Sequence, residues 1–144
     1  MKRAFHIVYT ILALNFFLPA LTYIFAPTFA VGQFAGLGAL FGAGPYPHTE
    51  DSMLWKVLGI ANVMTLAFVC VLLQLNLRRW MPCLVPLLFL KGMAAMGFLV
   101  AFVVEPYPSY LAGFLLDAVT CGVMWYFATA AYRELEATAA PAKT

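Results

Sequence analysis

Four long apolar stretches occupy most of the chain, and short polar or turn-forming segments separate them. Each stretch is long enough, at 1.5 Å per residue, to cross about 30 Å of hydrocarbon as an α-helix. We predict membrane-spanning helices near residues 4–26, 53–77, 81–104 and 109–132. Because the connections after the second and third helices are short, these neighbours are expected to lie antiparallel and in contact. The predicted fold is all-α, a single integral membrane domain over 1–144 built as an antiparallel four-helix bundle.

The connection between the first two predicted spans, residues 27–52, is unusually long. Its first half is apolar, uncharged and rich in glycine, and Pro27 suits the first turn of a helix. We interpret it as a short interfacial or re-entrant helix at the outer mouth of the bundle. A loose turn touching lipid is the alternative, because glycine favours flexible backbone. If the helix caps the bundle, a bulky residue in place of Gly36 should destabilise it. Ser52 is the expected N-cap of the second span.

Composition agrees with a membrane location. Hydrophobic residues make up 65% of the chain and charged residues only 10%, whereas soluble domains carry about 25% charged residues. The net charge of +2 comes without a basic stripe or stacking motif, so we expect no nucleic-acid partner. Three widely separated cysteines form no C-x-x-C pair, and we predict that Cys70, Cys83 and Cys121 are free thiols.

Basic residues predict the orientation. In a four-span topology one side carries Lys2, Arg3, Arg78, Arg79, Arg133 and Lys143, while the charged residues of the two loops on the other side are only Glu50, Asp51 and Glu105. The positive-inside rule then places both termini in the cytoplasm. The first apolar stretch is too long for a signal-peptide core, so we expect a retained first span. Aromatic residues near the boundaries fit an aromatic belt, with Trp80 and Tyr132 on the inner side and Trp55, Tyr107 and Tyr110 on the outer.

Two ionisable residues lie deep inside the third and fourth spans. Placing Lys91 or Asp117 near the bilayer centre costs about 2.5–3.5 kcal/mol on insertion scales. Lys91 lies roughly 15 Å and Asp117 roughly 18 Å above the inner boundary, a gap that a lysine stem can bridge. We therefore expect an ion pair. It either fixes helix register and nothing more, or forms a proton- or substrate-binding site.

Polar residues of the other spans come out at similar depths. Helical spacing predicts two stripes facing inward, one of Gly113, Asp117, Thr120, Cys121 and Met124, the other of Gly59, Asn62 and Thr65. Pro19 lacks an N–H and leaves the carbonyl of Asn15 without its helical donor, for which the Lys91 ammonium is a candidate. The candidate residues for ligand binding or proton coupling are Lys91, Asp117, Asn62, Asn15 and Thr120.

Other chemistry has little support in the sequence. His6 and His48 fall on opposite sides of the predicted membrane, so they cannot ligate one metal together. No phosphate loop, nucleophile elbow or metalloprotease motif is present, and we predict no catalytic residue, metal site or cofactor. The outer loops share a Pro-Tyr-Pro sequence at 45–47 and 106–108, which we interpret as coincidence rather than as an internal repeat.

The overall plan resembles the small DoxX-like families of bacterial membrane proteins, with four spans, cytoplasmic termini and a long first outer loop. The stretches LWKVLG at 54–59 and LKG at 90–92 are similar to recurrent patches in such proteins. The resemblance implies a bacterial inner-membrane location. It carries over no catalytic residue, since most members are of unknown activity and some are linked to sulfur or quinone redox chemistry.

Three function classes follow, in order of preference. The first is a non-catalytic integral membrane protein, acting as a subunit of a membrane complex or as a bundle that binds a hydrophobic ligand. The second is a small ion-coupled transporter that uses the Lys91–Asp117 pair. The third is a membrane oxidoreductase-type enzyme acting on a quinone-like substrate. Expected partners are the lipid bilayer, together with other membrane subunits or a hydrophobic small molecule.

Overall fold

The computed structural model describes residues 1–46 and 53–139, and within those ranges the chain is helical with no strand. The predicted all-α class is therefore confirmed. Predictions for His48, Glu50, Asp51, Ser52 and Lys143 lie outside the described residues, as does the side chain of Trp55. A short 3-10 turn, Met81–Cys83, precedes the fifth helix. The α-helices are α1 Lys2–Phe25, α2 Pro27–Leu40, α3 Met53–Leu75, α4 Leu77–Trp80, α5 Leu84–Val104 and α6 Pro108–Ala139.

Four helical stretches are long and apolar enough to cross a membrane, namely Lys2–Phe25, Val57–Leu75, Leu77–Val104 and Pro108–Ala139. They match the four predicted spans to within a few residues at most ends. The exception is the end of α6, which continues seven residues past position 132. Large apolar side chains cover the outside of these helices, including Ile11, Phe68, Phe89, Val103 and Leu116. Soluble monomers rarely expose apolar surface on this scale, and such a surface is typical of membrane proteins.

Proline and asparagine set several helix ends. Pro27 occupies the first turn of α2, and Pro108 begins α6, where a missing N–H leaves no bond unmade. Between α3 and α4, the Asn76 side chain accepts a hydrogen bond from the backbone N–H of Arg79 at 3.0 Å. This N-cap starts a new helix directly after the old one ends. The chain thereby turns within a few residues.

The long helices pack as two pairs. Helix α1 packs along α3, α5 packs along α6, and a smaller contact between α1 and α6 joins the pairs. The expected contact along the second and third spans is largely absent, because α3 and α5 touch only slightly among the described residues. Helix α4 and the 3-10 turn lie between them and contact α3, α5 and α6. Although few residues connect α3 to α5, helix α4 and the 3-10 turn keep these two helices apart.

Residues buried where the pairs meet form one apolar core. It draws on α1, α3 and α6, with a smaller share from α5. Its members include Phe5, Tyr9, Leu12, Phe16, Leu66, Cys70, Leu73, Leu87, Met124, Ala128 and Ala131. This core extends to the end of the helices where the chain begins.

Helix α2 confirms that the first half of the long connection is helical, and it packs against α1 and α6. The glycine of α2 in close contact is Gly38, where an added Cβ would overlap the hydroxyl oxygen of Tyr107. The expectation for Gly36 is wrong, since a Cβ there would meet nothing within 4 Å. Two residues along a helix turn the side-chain direction by about 200°, which places Gly36 on the exposed face.

Three tyrosines gather at this same end. The ring centroid of Tyr107 lies 5.5 Å from that of Tyr46 and 6.0 Å from that of Tyr110. The Tyr107 hydroxyl donates to the carbonyl of Gly44 at 3.3 Å. Because Tyr107 and Tyr110 are each only 6% exposed, they pack inside the protein instead of lying on its outer surface, so they do not fit the aromatic belt expected for them. Tyr46 and Tyr107 are the central residues of the two Pro-Tyr-Pro sequences, and their rings are in contact.

Replacing Gly38 with leucine should lower the free energy of unfolding by about 1–3 kcal/mol, because the new side chain overlaps a ring held by its neighbours. Thermal unfolding in mild detergent measures the loss. Gly36→Leu is the matched control and should leave stability unchanged or slightly raised, since glycine disfavours a helix. Equal losses in the two variants would show that α2 does not rest on Tyr107.

Candidate functional site

The two ionisable residues inside the apolar helices are in direct contact. The Lys91 ammonium on α5 donates a hydrogen bond to Oδ1 of Asp117 on α6. Their side chains are 12% and 8% exposed, respectively. The expected ion pair is therefore observed. Its use in ligand binding or proton coupling stays a prediction.

Close packing of α5 on α6 holds the two charges together. One turn from the pair, the Cys121 thiol donates to the carbonyl of Leu88 at 3.3 Å. On the other side, an added Cβ at Gly113 would lie 3.0 Å from the Phe98 ring. These contacts run in opposite directions along the two helices, so α5 and α6 are antiparallel. A glycine at the interface lets the backbones approach closely, as is typical of helix pairs in lipid.

The predicted inward stripe on α6 is confirmed. Asp117, Thr120 and Met124 are buried, while Gly113 and Cys121 are partly buried against α5. Thr120 lies one turn from Asp117 on the same face. Thr120 therefore lies beside the ion pair. Its role in ligand binding stays a prediction.

Helix α1 completes the surroundings of the pair. The Tyr9 hydroxyl, fully buried, donates to the carbonyl of Met124 at 2.8 Å. Seven residues further along α1, Phe16 stands level with Asp117, which lies seven residues before Met124 on the antiparallel α6. The Lys91 ammonium lies 5.0 Å from the centroid of the Phe16 ring. A cation over an aromatic face is attracted by the ring quadrupole, so this contact adds to the ion pair.

Two of the predicted site residues do not join the cluster. Asn15 is exposed because its neighbour Phe16 takes the buried position, and one residue turns the direction by about 100°. Among the described residues, the Lys91 ammonium donates to Asp117 and makes no hydrogen bond to the carbonyl of Asn15. The suggested link through that carbonyl is therefore wrong.

Asn62 is also exposed, and the inward stripe predicted for α3 is wrong. Its fellow member Thr65 is exposed and donates to its own helix at the carbonyl of Ala61, 2.8 Å away. An added Cβ at Gly59 would meet nothing within 4 Å. Among the residues of α3 whose burial the structure describes, Leu66 is the first that is fully buried, so all three of these residues lie before its buried positions.

Sequence reasoning missed Phe16 and Tyr9. A tyrosine inside an apolar span is itself a signal, because its hydroxyl needs a hydrogen-bond partner when it is buried. Phe16 carried no comparable signal, since phenylalanine is equally at home facing lipid. Its place beside Lys91 depends on how far α1 is rotated, which spacing along one helix does not determine.

The chemistry of the remaining groups is limited. Within 1–46 and 53–139, no three histidine, cysteine or acidic side chains come close enough to hold a metal ion. Cys70, Cys83 and Cys121 are free thiols, as predicted. The pair of Lys91 and Asp117 satisfies its own charges, so proton exchange at this point requires the contact to open first.

No protein-family model, curated protein or solved structure matches this chain. Function is therefore inferred from the placement of charged and polar side chains on the helices.

Removing one charge of the pair should destabilise the protein by about 3–5 kcal/mol, because the other charge is then buried without a partner. Lys91→Met and Asp117→Leu are the single variants, and the double variant should recover most of the loss. Denaturant titration in mixed micelles measures all three. Glu136→Gln is the control, because its bond to Arg78 is half exposed, and its loss should cost at most about 1 kcal/mol. If the double variant were no more stable than the less stable single variant, the loss could not be explained by a buried charge without a partner.

Proposed function

We propose that the protein is a non-catalytic integral membrane subunit, an antiparallel four-helix bundle that contacts a partner through its exposed asparagines. Four helices long and apolar enough to span a bilayer support membrane insertion. Basic residues gather where α1 begins, α4 lies and α6 ends. By the positive-inside rule this end is cytoplasmic, with both termini on that side. The DoxX-like plan supports a bacterial inner membrane, where α2 would lie at the outer surface.

The observation that carries the proposal is the exposure of Asn15 and Asn62 within apolar stretches. An amide facing hydrocarbon without a hydrogen bond loses several kcal/mol relative to water, on the order of 2–7. The side chains beside Asn15 on α1, Ile11, Leu14 and Leu18, are exposed and apolar. A helix from another membrane subunit, carrying an amide or hydroxyl at this depth, would satisfy it.

The buried ion pair and the exposed asparagines differ in whether they have partners within the chain. Lys91 and Asp117 neutralise each other inside the chain, so neither charge needs a counter-charge from a partner. Asn15 and Asn62 have no hydrogen bond from their side chains within the part of the chain that the structure describes. The unmet polar groups of the apolar region thus lie on its outside, as in one component of a larger assembly.

A photo-crosslinking side chain in place of Leu18, one turn from Asn15 and exposed, should form an adduct of one defined mass in native membranes. Asn15→Leu should reduce its yield roughly three- to thirtyfold, since polar bonds between helices in lipid contribute about 0.6–2 kcal/mol. The same crosslinker at Leu115 on α6 is the control and should give no such adduct. An adduct of twice the chain mass would identify a second copy as the partner.

Absence of an adduct, or a yield that Asn15→Leu leaves unchanged, would overturn the proposed contact. Thermal unfolding in detergent separates this outcome from misfolding, because Asn15 is exposed and its replacement should leave stability unchanged.

A small ion-coupled carrier is the second candidate, and one observation favours it. The side chains of Lys91 and Asp117 keep 12% and 8% exposure, so the pair is not completely sealed. A carrier would need this contact to open and close during each cycle.

Proton flux into proteoliposomes, followed with an internal pH-sensitive dye, tests the carrier. The parent would move protons faster than Asp117→Asn if the pair is used. We expect equal, background flux in both preparations, because the two charges neutralise each other. A flux that only the parent shows would replace the subunit with the carrier.

A further inference from the structure

A cavity of about 470 Å³ opens at the end of the helices where the basic residues gather. The start of α1, the junction of α3 with α4 and the last turns of α6 bound it. Its volume falls in the range of sites that hold small molecules, about 300–1,000 Å³. It lies on the opposite side of the apolar core from the tyrosine cluster, and no part of it belongs to the Lys91–Asp117 site.

The rim of this cavity is cationic. Lys2, His6 and Arg78 line it, and within the described residues Lys2 has no acidic partner. Arg78 donates Nε to Glu136 at 2.8 Å and Nη2 to the carbonyl of Leu135 at 3.4 Å. A guanidinium carries five N–H donors, so three remain available for an anion. Among the described residues, Glu136 is the acidic side chain that pairs with a residue lining the cavity.

Apolar side chains form part of the cavity wall, alongside the polar side chains of Gln74, Asn76 and Thr138. Phe5 and Leu77 are buried in its wall, and Leu135 packs against the core beside them. The adjacent Leu75 is largely exposed, so the apolar surface continues outward onto the side of α3. A cationic rim above an apolar wall complements a molecule with an anionic head and hydrocarbon chains.

We propose that this cavity binds the phosphodiester headgroup of an anionic phospholipid. Lys2 and the free N–H groups of Arg78 would contact the phosphate, and the acyl chains would follow Leu75 and α3. Basic pockets between helices at the cytoplasmic surface are suited to such headgroups. The proposal rests on membrane insertion with this end at the inner surface, and it is independent of the partner contact at Asn15.

Lipid retention by the purified full chain tests the site. Native mass spectrometry after extraction from nanodiscs would compare phosphatidylglycerol with phosphatidylcholine, which has the same phosphate but no net charge. The parent should retain phosphatidylglycerol preferentially. Lys2→Gln with Arg78→Gln should lower that retention roughly tenfold or more, because two basic contacts are removed.

A charge-matched double variant controls for surface electrostatics. Arg3→Gln with Arg79→Gln removes the same net charge from neighbouring positions that do not line the cavity; Arg79 instead stacks over the Trp80 ring at 5.1 Å. Retention should be close to that of the parent. Thermal unfolding of both doubles should match the parent, since the Arg78–Glu136 bond is half exposed.

Three results would overturn the proposal. Equal retention of the two lipids by the parent would show that the headgroup charge is not recognised. Equal losses in the two double variants would show diffuse attraction rather than a site. Displacement of the lipid by millimolar inorganic phosphate would show a site for a free anion. The adduct at Leu18 should persist in the Lys2 and Arg78 double variant, so failure here and failure of the subunit proposal are distinguishable.

Discussion

An ammonium group and a carboxylate are each costly to hold away from water, and they are tolerated together when they touch. The contact between Lys91 and Asp117 imposes this condition on α5 and α6. If either helix slid by one turn, about 5.4 Å, the charges would separate and both would be unpaired. The hydrogen bond of the Cys121 thiol and the close approach at Gly113 depend on the same alignment of α5 with α6. The pair therefore fixes how these two helices align.

The two ends of the helices are held by different chemistry. At one end Tyr46, Tyr107 and Tyr110 pack edge to face beneath α2. At the other end charged groups join distant parts of the chain, with the amino terminus 3.2 Å from Glu134 and Arg78 bonded to Glu136. Rings are suited to a dry contact, whereas exposed ion pairs need water nearby. Aromatic contacts therefore hold one end of the helices together, and ion pairs hold the other.

Sequence reasoning recovered the helices because apolar length is a property of each segment alone. It recovered the Lys91–Asp117 contact because depth can be counted from the ends of two helices joined by a short turn. It failed for Asn15, whose exposure depends on the rotation of α1 about its axis. It chose Gly36 rather than Gly38 for a related reason, since the ring of Tyr107 is 69 residues further along the chain from Gly38. Contacts that depend on rotation or on distant partners are not encoded in spacing.

The polar side chains inside the apolar helices differ in whether they find partners within the chain. Within the apolar region, Lys91 on α5 and Asp117 on α6 pair with each other, while Asn15 on α1 and Asn62 on α3 remain exposed without a hydrogen bond among the described residues. The two charges are therefore paired within the chain, whereas these two amides have unused hydrogen-bonding groups.

The short turn between α5 and α6 has a consequence for biosynthesis. Only residues 105–107 separate the two helices, so Asp117 emerges from the ribosome soon after Lys91. If the hairpin enters the bilayer as one unit, the translocon releases a neutral pair to lipid rather than two separate charges. Neither helix would then have to enter the bilayer with an unpaired charge, and the free-energy cost of insertion would be lower.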